Sequence, residues 1–236
     1  DQITTGSANV NAGAGNDVIT TSKNTGTITG GAGSDTFKIG HDATIADLGA
    51  TDILQVAATA TTVNVNVVES FTATAATTNA VTTTTLNLKD GVNVDMTLAT
   101  LTAATNGYII KTDDAVTKGA TIVGSRGEDT ITGSKFADTI TGGEGQDTIT
   151  AGAGADTIIL TEGTPAKDTV VFTAVSDSAA SVAANTTVTF DKIVDFNAGA
   201  NNAAIDKISI TGANFVAGGN AVHVNATKAI GGATVV

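Results

Sequence analysis

Six aspartates each close a glycine-containing turn, and they recur at fixed intervals along the chain. The first two turns read AGAGND at residues 12–17 and GGAGSD at residues 30–35. Four more follow without a gap between residues 124 and 156, reading GSRGED, GSKFAD, GGEGQD and AGAGAD, each with three strand-like residues behind it. Calcium prefers carboxylate and carbonyl oxygens, about six to eight of them at ~2.3–2.6 Å. The spacing therefore predicts repeated calcium sites at Asp17, Asp35, Asp129, Asp138, Asp147 and Asp156.

A large apolar residue stands two positions after each of these aspartates, so a short strand must follow each turn. Ile19, Ile28 and Phe37 are spaced nine residues apart in the first block. In the second block the same spacing relates Ile122, Ile131, Ile140, Ile149 and Ile158. Side chains alternate along a strand, so these residues predict an inner apolar stripe. Two nine-residue units make one coil of 18, and successive coils stack as parallel strands about 4.8 Å apart.

Turns 18 residues apart should lie side by side on the same side of this stack. The predicted ion-sharing pairs are Asp17 with Asp35, Asp129 with Asp147, and Asp138 with Asp156, which makes three calcium ions. Turn 21–26 lacks an aspartate, so we expect no ion on its side of the first block. The alternative is a metal-free solenoid with tight turns. Asn or Ser would serve such a turn equally well, so the unbroken run of aspartates favours a cation.

The repeats resemble the nonapeptide G-G-x-G-x-D-x-U-x of the RTX (repeats-in-toxin) family, in which U is a large apolar residue. The resemblance implies an elongated all-β fold, a parallel β-roll or β-helix around calcium, and type I secretion from a Gram-negative cell. Phe136 at position four, and Ser125 and Ser134 at position two, depart from the family pattern. In the family, carbonyls of positions one and three of one turn, and of positions two and four of the next, join the two aspartates. The implied carbonyl donors are Ala12, Ala14, Gly31 and Gly33; Gly124, Arg126, Gly143 and Gly145; and Gly133, Lys135, Gly152 and Gly154.

A second phrase follows each repeat block and pairs two further aspartates. It reads I-x-D-[L/F], a short polar loop, then D-x-[L/I], with Asp47 and Asp52 after the first block and Asp195 and Asp206 after the second. It is similar to an element that often follows RTX repeats in secreted enzymes. A flanking calcium site and a role in turns and caps both remain open for these residues. Asp168 ends the sequence GTPAKD, a degraded fifth turn, and is a further metal candidate.

These patterns divide the chain into three regions. They are a first repeat block with its closing element at 1–54, a Thr/Val/Ala-rich β-segment that continues the stack at 55–120, and a second repeat block with a β cap at 121–236. Residues 173–189 and 211–236 resemble the middle region in composition and predict more β-structure.

Within the middle region, two short patterns predict local structure. Val63, Val65 and Val67 alternate with asparagines, as the residues of a strand do. Asp90 and Gly91 predict either a hairpin or a corner of a coil. The threonine run 82–85 favours a strand face over an ice-binding plane.

The residue inventory argues against several function classes. The net charge of −12 disfavours nucleic acid and anionic membrane surfaces. There is no Cys, and no apolar run reaches the roughly 18 residues of a transmembrane helix. HExxH, GxSxG and GK[ST] motifs are absent from the sequence, and His41 and His223 are expected to be ordinary surface residues. A repeated series of carboxylates is unlike the single pair of a glycosidase. We therefore expect no enzyme.

Three functions are compatible with this inventory. The first is a calcium-dependent structural protein of the bacterial cell surface, an S-layer-type subunit with lattice contacts between copies. The second is the calcium-binding secretion and folding module of a larger exported toxin, protease or lipase, and the third is an adhesin segment. Scarce aromatics and absent Cys favour the first, and all three are secreted. The chain opens on Asp1-Gln2-Ile3-Thr4, like the tail of a repeat and without a signal peptide, which predicts a piece of a longer protein.

Overall fold

The chain winds into a parallel β-solenoid, seen here in a computed structural model that describes residues 1–6, 8–23, 26–174, 177, 191–197 and 204–211. The regular elements of this part of the chain are strands, and the strands pair in parallel. The parallel all-β fold predicted from the repeats is therefore confirmed.

Three sheets form the walls of the solenoid. The long sheet has ten strands, in spatial order β2 (Val10–Ala14), β4 (Thr27–Ala32), β6 (Ala43–Leu48), β8 (Val63–Val67), β11 (Thr84–Leu88), β14 (Ile109–Thr112), β16 (Thr130–Thr132), β18 (Thr148–Thr150), β20 (Thr169–Phe172) and β22 (Lys207–Ile210). The amino-terminal sheet has six, namely β1 (Gln2–Thr5), β3 (Val18–Thr21), β5 (Thr36–Ile39), β7 (Ile53–Val56), β10 (Thr78–Asn79) and β13 (Thr100–Leu101). The carboxyl-terminal sheet also has six, namely β9 (Phe71–Thr72), β12 (Val94–Asp95), β15 (Thr121–Val123), β17 (Thr139–Thr141), β19 (Thr157–Ile159) and β21 (Lys192–Val194).

One apolar residue from each strand of the long sheet joins a continuous column along the core. Ile28, Ile131 and Ile149 have no exposed surface. Full burial of such a side chain stabilises a fold by about 1.5–3 kcal/mol. The nine-residue phase of large apolar residues is thus confirmed as the inner stripe. The column consists of Val10, Ile28, Ile45, Val65, Leu86, Ile110, Ile131, Ile149, Val170 and Ile208.

The cross-section of the solenoid changes along the chain. In the first repeat block each coil alternates between the long sheet and the amino-terminal sheet, and in the second block between the long sheet and the carboxyl-terminal sheet. The coils between the blocks visit all three sheets, in the order β8, β9, β10 and β11. Residues 55–120 therefore continue the stack with three sides instead of two.

The corners of the middle coils resolve two local predictions. Asp90 and Gly91 form a coil corner and not a hairpin, because β11 and β12 belong to different sheets and Gly91 has a φ of 72°. The threonine run does not form one strand face, because it crosses the corner before β11 and only its second half lies in that strand. Thr84 is fully buried there, and its hydroxyl donates to Oδ1 of Asn79 at 2.9 Å.

Among the residues that the structure describes, no helix is long and apolar enough to cross a membrane. The β-segments predicted at 173–189 and 211–236 lie almost entirely outside the described residues.

Candidate metal centres

The aspartates of stacked turns are joined by hydrogen bonds that run from coil to coil. The backbone N–H of Asp17 donates to Oδ1 of Asp35, 18 residues later, at 2.8 Å. Aspartates further along the stack repeat this bond with the aspartate of the next coil, and we call each such series an aspartate ladder. The three turn pairs expected from the 18-residue spacing are neighbours in these ladders. The ladders are Asp17, Asp35 and Asp52; Asp129, Asp147, Asp168 and Asp206; and Asp138, Asp156 and Asp191.

The ladders lie along the two edges of the long sheet. The ladders of Asp17 and Asp156 follow β2 and β18, so they lie where the chain leaves that sheet, at its exit edge. The ladder of Asp147 precedes β18, so it lies where the chain enters the sheet, at its entry edge. The second block therefore has ladders at both edges. The first block has its ladder at the exit edge, since turn 21–26 at the entry edge carries no aspartate.

Four turns share a backbone conformation that glycine adopts readily and other residues do not. In turn 30–35, Gly31 and Gly33, at positions two and four, have φ angles of 97° and 142°. Turns 12–17, 142–147 and 151–156 also have positive φ at both positions, and we call these four the glycine turns. The aspartate at position six is at most 2% exposed in each, and its Oδ2 atom is buried without a hydrogen-bond partner. A buried carboxylate oxygen without a partner is costly, so each glycine turn holds an oxygen that a cation would satisfy.

The other two turns, 124–129 and 133–138, satisfy their aspartates with a serine at position two. Neither turn contains a residue with positive φ. Ser125 donates its backbone N–H to Oδ2 of Asp129 at 2.5 Å and its hydroxyl to the same atom at 3.0 Å. Ser134 donates in the same way to Oδ2 of Asp138, at 2.6 Å and 3.0 Å. We call these the serine turns. The departures seen at position two thus replace the free oxygen of a glycine turn with a bonded one.

Several backbone carbonyl groups of each turn face the neighbouring turn of the stack. In the first block, a Cβ atom on Gly31 or Gly33 would collide with the carbonyl oxygen of Gly13 or Gly15. The carbonyl of Ala32 accepts the N–H of Gly15 at 2.8 Å. Because Gly13 pairs directly with Gly31, the earlier turn presents its positions two and four, and the later turn presents position three.

The second block agrees with the first in the earlier turns but differs from it in the later ones. The carbonyls of Ser125 and Ser134, at position two of the earlier turns, lie against the glycines at position two of the later turns. The carbonyls of Gly142 and Ala151, at position one of the later turns, point back. These contacts describe how the stacked turns pack against each other, and the predicted assignment of carbonyl donors stays a prediction. That assignment names Ala12, Ala14, Gly124, Arg126, Gly133 and Lys135 on the earlier turns, and Gly31, Gly33, Gly143, Gly145, Gly152 and Gly154 on the later ones.

Burial makes several ladder carboxyls poorly solvated. Burial, followed by the negative charge of Asp129, raises the pKa of Asp147 to about 9. Burial raises the pKa of Asp129, Asp156 and Asp168 to about 7 in each case. Burial, with a further contribution from the charge of Asp177, raises the pKa of Asp191 to about 6. Desolvation is the first cause throughout, so a bound cation would stabilise the ionised forms at neutral pH.

The closing element of the first block uses its aspartates as acceptors of backbone N–H groups. Asp47 accepts the N–H groups of Gly30 and Gly31, both at 2.9 Å. Asp52 accepts that of Asp35 at 2.9 Å with one oxygen and that of Gly49 at 2.8 Å with the other. Of the two open alternatives, these contacts favour a role in turns and caps.

In the closing element of the second block, Asp206 accepts backbone N–H groups as Asp52 does, whereas Asp195 differs from Asp47. Asp206 ends its ladder as Asp52 does, with one oxygen on the N–H of Asp168 and the other on the N–H of Asn197. Asp195 has a φ of 60° and accepts the hydroxyl of Thr161. Asp168, predicted as a degraded fifth turn, accepts the N–H of Asp147 at 2.9 Å and so belongs to the ladder.

Histidine and clustered carboxylates contribute little to these centres. His41 is half-buried beside a loop and donates its backbone N–H to Thr21, while His223 lies outside the described residues. In the described part of the chain, no three Asp, Glu or His side chains converge as a metal cluster. An ion at the turns must therefore draw on backbone carbonyls together with one or two aspartates.

One ladder residue, Asp191, had no counterpart in the predicted repeats. It stands 35 residues after Asp156 and ends no glycine-rich turn. What it shares with the repeats is the phrase that follows, since Asp191-Lys-Ile-Val has the same D-x-U-x pattern as Asp156-Thr-Ile-Ile. A search for this shorter phrase would have found it.

Comparison with known families matches the two stretches that hold the turns. Residues 3–37 and 121–160 match the family model of the RTX calcium-binding nonapeptide repeat, in four copies. No curated protein and no solved structure shows significant similarity to the chain. The chain thus carries two blocks of RTX calcium-binding repeats wound into a parallel β-roll, which makes it a calcium-binding module.

Proposed function

We propose that calcium ions in the glycine turns hold this solenoid together, and that the chain is a calcium-dependent structural protein of the bacterial cell surface. The observation that carries the calcium dependence is the buried, unpartnered Oδ2 atom found in all four glycine turns. In the serine turns, protein N–H and O–H groups bond to the same atom. The difference favours an external ligand for the glycine turns, and calcium is the hard cation that such oxygens suit.

The proposed ligands in the first block come from two stacked turns. They are the carbonyls of Gly13, Gly15 and Ala32 and the carboxylates of Asp17 and Asp35. All five groups bind through oxygen atoms, and the two carboxylates carry negative charge. Such a set fits calcium better than zinc, which prefers nitrogen and sulfur.

Ion binding of this kind supplies a large share of a domain's stability. Each ion adds RT ln(1 + [Ca]/Kd) to the folded state, about 2.7 kcal/mol at a hundredfold excess over Kd. A typical domain is stable by ~5–15 kcal/mol. Without ions, each ladder must bury its carboxyl groups either as charges that repel one another or at the cost of protonating them. We therefore infer that the chain stays loose in a low-calcium cytosol, leaves by type I secretion, and folds outside the cell.

A structural role at the cell surface agrees with the rod-like arrangement of the sheets. The long sheet joins both repeat blocks through one hydrogen-bonded network. Its outer positions are rich in Thr and Asn, as at Thr44, Asn64 and Thr85, which pair side by side. Rods of this kind could associate laterally into an S-layer-type lattice of identical copies, and we assign no catalytic role to the chain.

The same ion sites would also serve a calcium-dependent secretion and folding module of a larger exported enzyme, toxin or adhesin. Electron microscopy of the purified chain in millimolar calcium separates the two functions. Ordered two-dimensional sheets support the surface-lattice function. Isolated rods at all concentrations contradict it and favour the module.

Circular dichroism under calcium titration tests the shared core of both functions. We expect the β-sheet signal to be weak in chelator and to rise when calcium is added. Magnesium at equal concentration serves as the control, because it demands a tighter octahedral shell. A β-sheet signal that is the same in chelator and in calcium would refute calcium-dependent folding.

A further inference from the structure

Asp156 and Asp191 share the features of a glycine-turn pair, although Asp191 belongs to no repeat. The N–H of Asp156 donates to Oδ1 of Asp191 at 2.9 Å, against 2.8 Å for Asp17 and Asp35. The two side chains are 1% and 8% exposed, and Oδ2 of each is buried without a hydrogen-bond partner. Two such carboxylate oxygens in adjacent coils require a positive ligand more than any hydrogen-bonded pair does.

We propose that Asp156 and Asp191 hold a further calcium ion between turn 151–156 and strand β21, a site that rests on the calcium-dependent function proposed above. The earlier half of this site is a complete glycine turn, with φ angles of 98° at Gly152 and 145° at Gly154. In the first block, the backbone carbonyls at positions two and four of the earlier glycine turn face the next coil. We expect the same carbonyls of turn 151–156 to face β21. The carbonyls of Gly152 and Gly154 therefore join the Asp156 carboxylate on one side of the ion, and Asp191 supplies the other side.

Strand register brings Asp191 to this position despite the long separation in sequence. Ile193 of β21 pairs with Ile158 of β19. The N–H of Lys192 donates to the carbonyl of Asp156 at 2.7 Å, just as the N–H of Thr157 donates to that of Asp138 at 2.9 Å. The backbone that follows Asp191 thus repeats the arrangement of the backbone that follows Asp156. The later coil therefore contributes to this ion site only Asp191 and the strand β21 that follows it, without a glycine-rich turn.

Asp206 is a matched control for this site. It is the last described member of the neighbouring ladder, and at 7% it is as buried as Asp191. Its two oxygens accept the N–H groups of Asp168 and Asn197, at 3.1 Å and 2.7 Å. Asp206 therefore has no free oxygen for a cation, whereas Asp191 has one.

The test counts calcium ions per chain by native mass spectrometry in the unsubstituted protein and in Asp191→Asn and Asp206→Asn. Circular dichroism in saturating calcium shows that each variant is folded. We expect Asp191→Asn to bind one ion fewer than the unsubstituted protein, and Asp206→Asn to bind the same number. An unchanged count in folded Asp191→Asn overturns the site.

If Asp191→Asn fails to fold, crystals of the unsubstituted protein grown with calcium or terbium decide the question. An anomalous peak between Asp156 and Asp191 supports the site. Peaks at the first-block glycine turns without one at Asp191 overturn it and leave the calcium-dependent function standing. Absence of peaks at every turn overturns both.

Discussion

The hydroxyl of Ser125 lies 3.0 Å from Oδ2 of Asp129, the atom that lacks any protein donor at the corresponding aspartate of a glycine turn. Ser134 makes the same contact with Asp138 on the opposite edge of the long sheet. The second block therefore opens, at each edge, with a turn that is satisfied by its own side chains. In the turns one coil further along, the corresponding oxygens of Asp147 and Asp156 have no hydrogen-bond partner.

Removal of the Ser125 hydroxyl should weaken the fold without changing the number of ions. Hydrogen bonds to charged groups contribute about 1.5–3 kcal/mol. Since the N–H of residue 125 still bonds to Asp129, we expect Ser125→Ala to lower the unfolding free energy by about 1–2 kcal/mol in saturating calcium. Urea unfolding measures this difference.

The matched control is Ser34→Ala, because Ser34 is exposed at position five of a glycine turn. Ser34→Ala should leave the midpoint of urea unfolding unchanged. Equal effects of both substitutions, or loss of an ion in Ser125→Ala, would contradict the division into two kinds of turn.

Asp147→Asn should have opposite consequences with and without calcium. In calcium the variant loses an ion ligand, so its stability should fall by roughly 2–3 kcal/mol, the contribution of one bound ion. In chelator it removes a carboxyl that must take up a proton to be buried at neutral pH, so residual β-structure should equal or exceed that of the unsubstituted protein. Thermal melts followed by circular dichroism in both conditions provide the comparison.

Asp114→Asn makes the same change of charge on an exposed side chain and is the control for Asp147→Asn. It should shift neither melt appreciably. A drop in chelator as large as the drop in calcium would show that Asp147 acts through hydrogen bonding and not through an ion.

Acidification should weaken calcium binding and favour the metal-free fold. The folded-state pKa values of Asp147 and Asp156, about 9 and about 7, lie above the ordinary value of 3.8. The metal-free folded state therefore binds more protons than the unfolded state, and its stability falls as pH rises from about 4 to about 9. Calcium must displace these protons, so its affinity rises over the same range.

Calcium titrations at about pH 5 and about pH 8 measure this effect. We expect the half-saturating calcium concentration to be higher at the lower pH, and the residual β-signal in chelator to be larger there. Equal midpoints at both pH values would exclude the buried aspartates as ligands.

Gly31→Ala should be more damaging than Gly13→Ala, although both glycines have positive φ angles, 97° and 101°. The backbone conformation alone costs a non-glycine residue about 1–3 kcal/mol. A Cβ on Gly31 would also collide with the carbonyl of Gly13, whereas one on Gly13 would have no neighbour within 4 Å. Differential scanning calorimetry in calcium should therefore give a lower melting temperature for Gly31→Ala than for Gly13→Ala. The reverse order would mean that the two turns do not approach as described.

The strand half of each repeat was predictable from sequence, but the turn half was predictable only in part. Ile131 and the equivalent residues of the other repeats recur at a constant spacing. Because large apolar side chains must be buried, they can lie only on the inner face of the solenoid. The direction of the carbonyls could not be obtained in this way, because donors at positions one and three repeat with the same period as donors at positions two and four. The bonds of Ser125 depend on a rotamer, which spacing does not specify.

Two features escaped prediction because the chain between repeats has no period. Asp191 follows Asp156 after 35 residues, so neither nine nor 18 leads to it. The three-sided coils of residues 55–120 arise because corners such as Asp90 and Gly91 divide each coil into shorter strands. Composition indicated strands there, but it did not indicate how many sides they would form.

The continuity of the ladders makes the ions interdependent. Asp156 borders two gaps, one towards Asp138 and one towards Asp191, so we expect a cation in one gap to orient a carboxylate for the other. We expect loading along one edge to be cooperative between nearest neighbours, as in a linear array of repeats. Ladders at the exit and entry edges have no carboxylate in common. We therefore expect the two edges of the second block to fill as separate cooperative units, each able to rigidify its own side of the rod before the other is saturated.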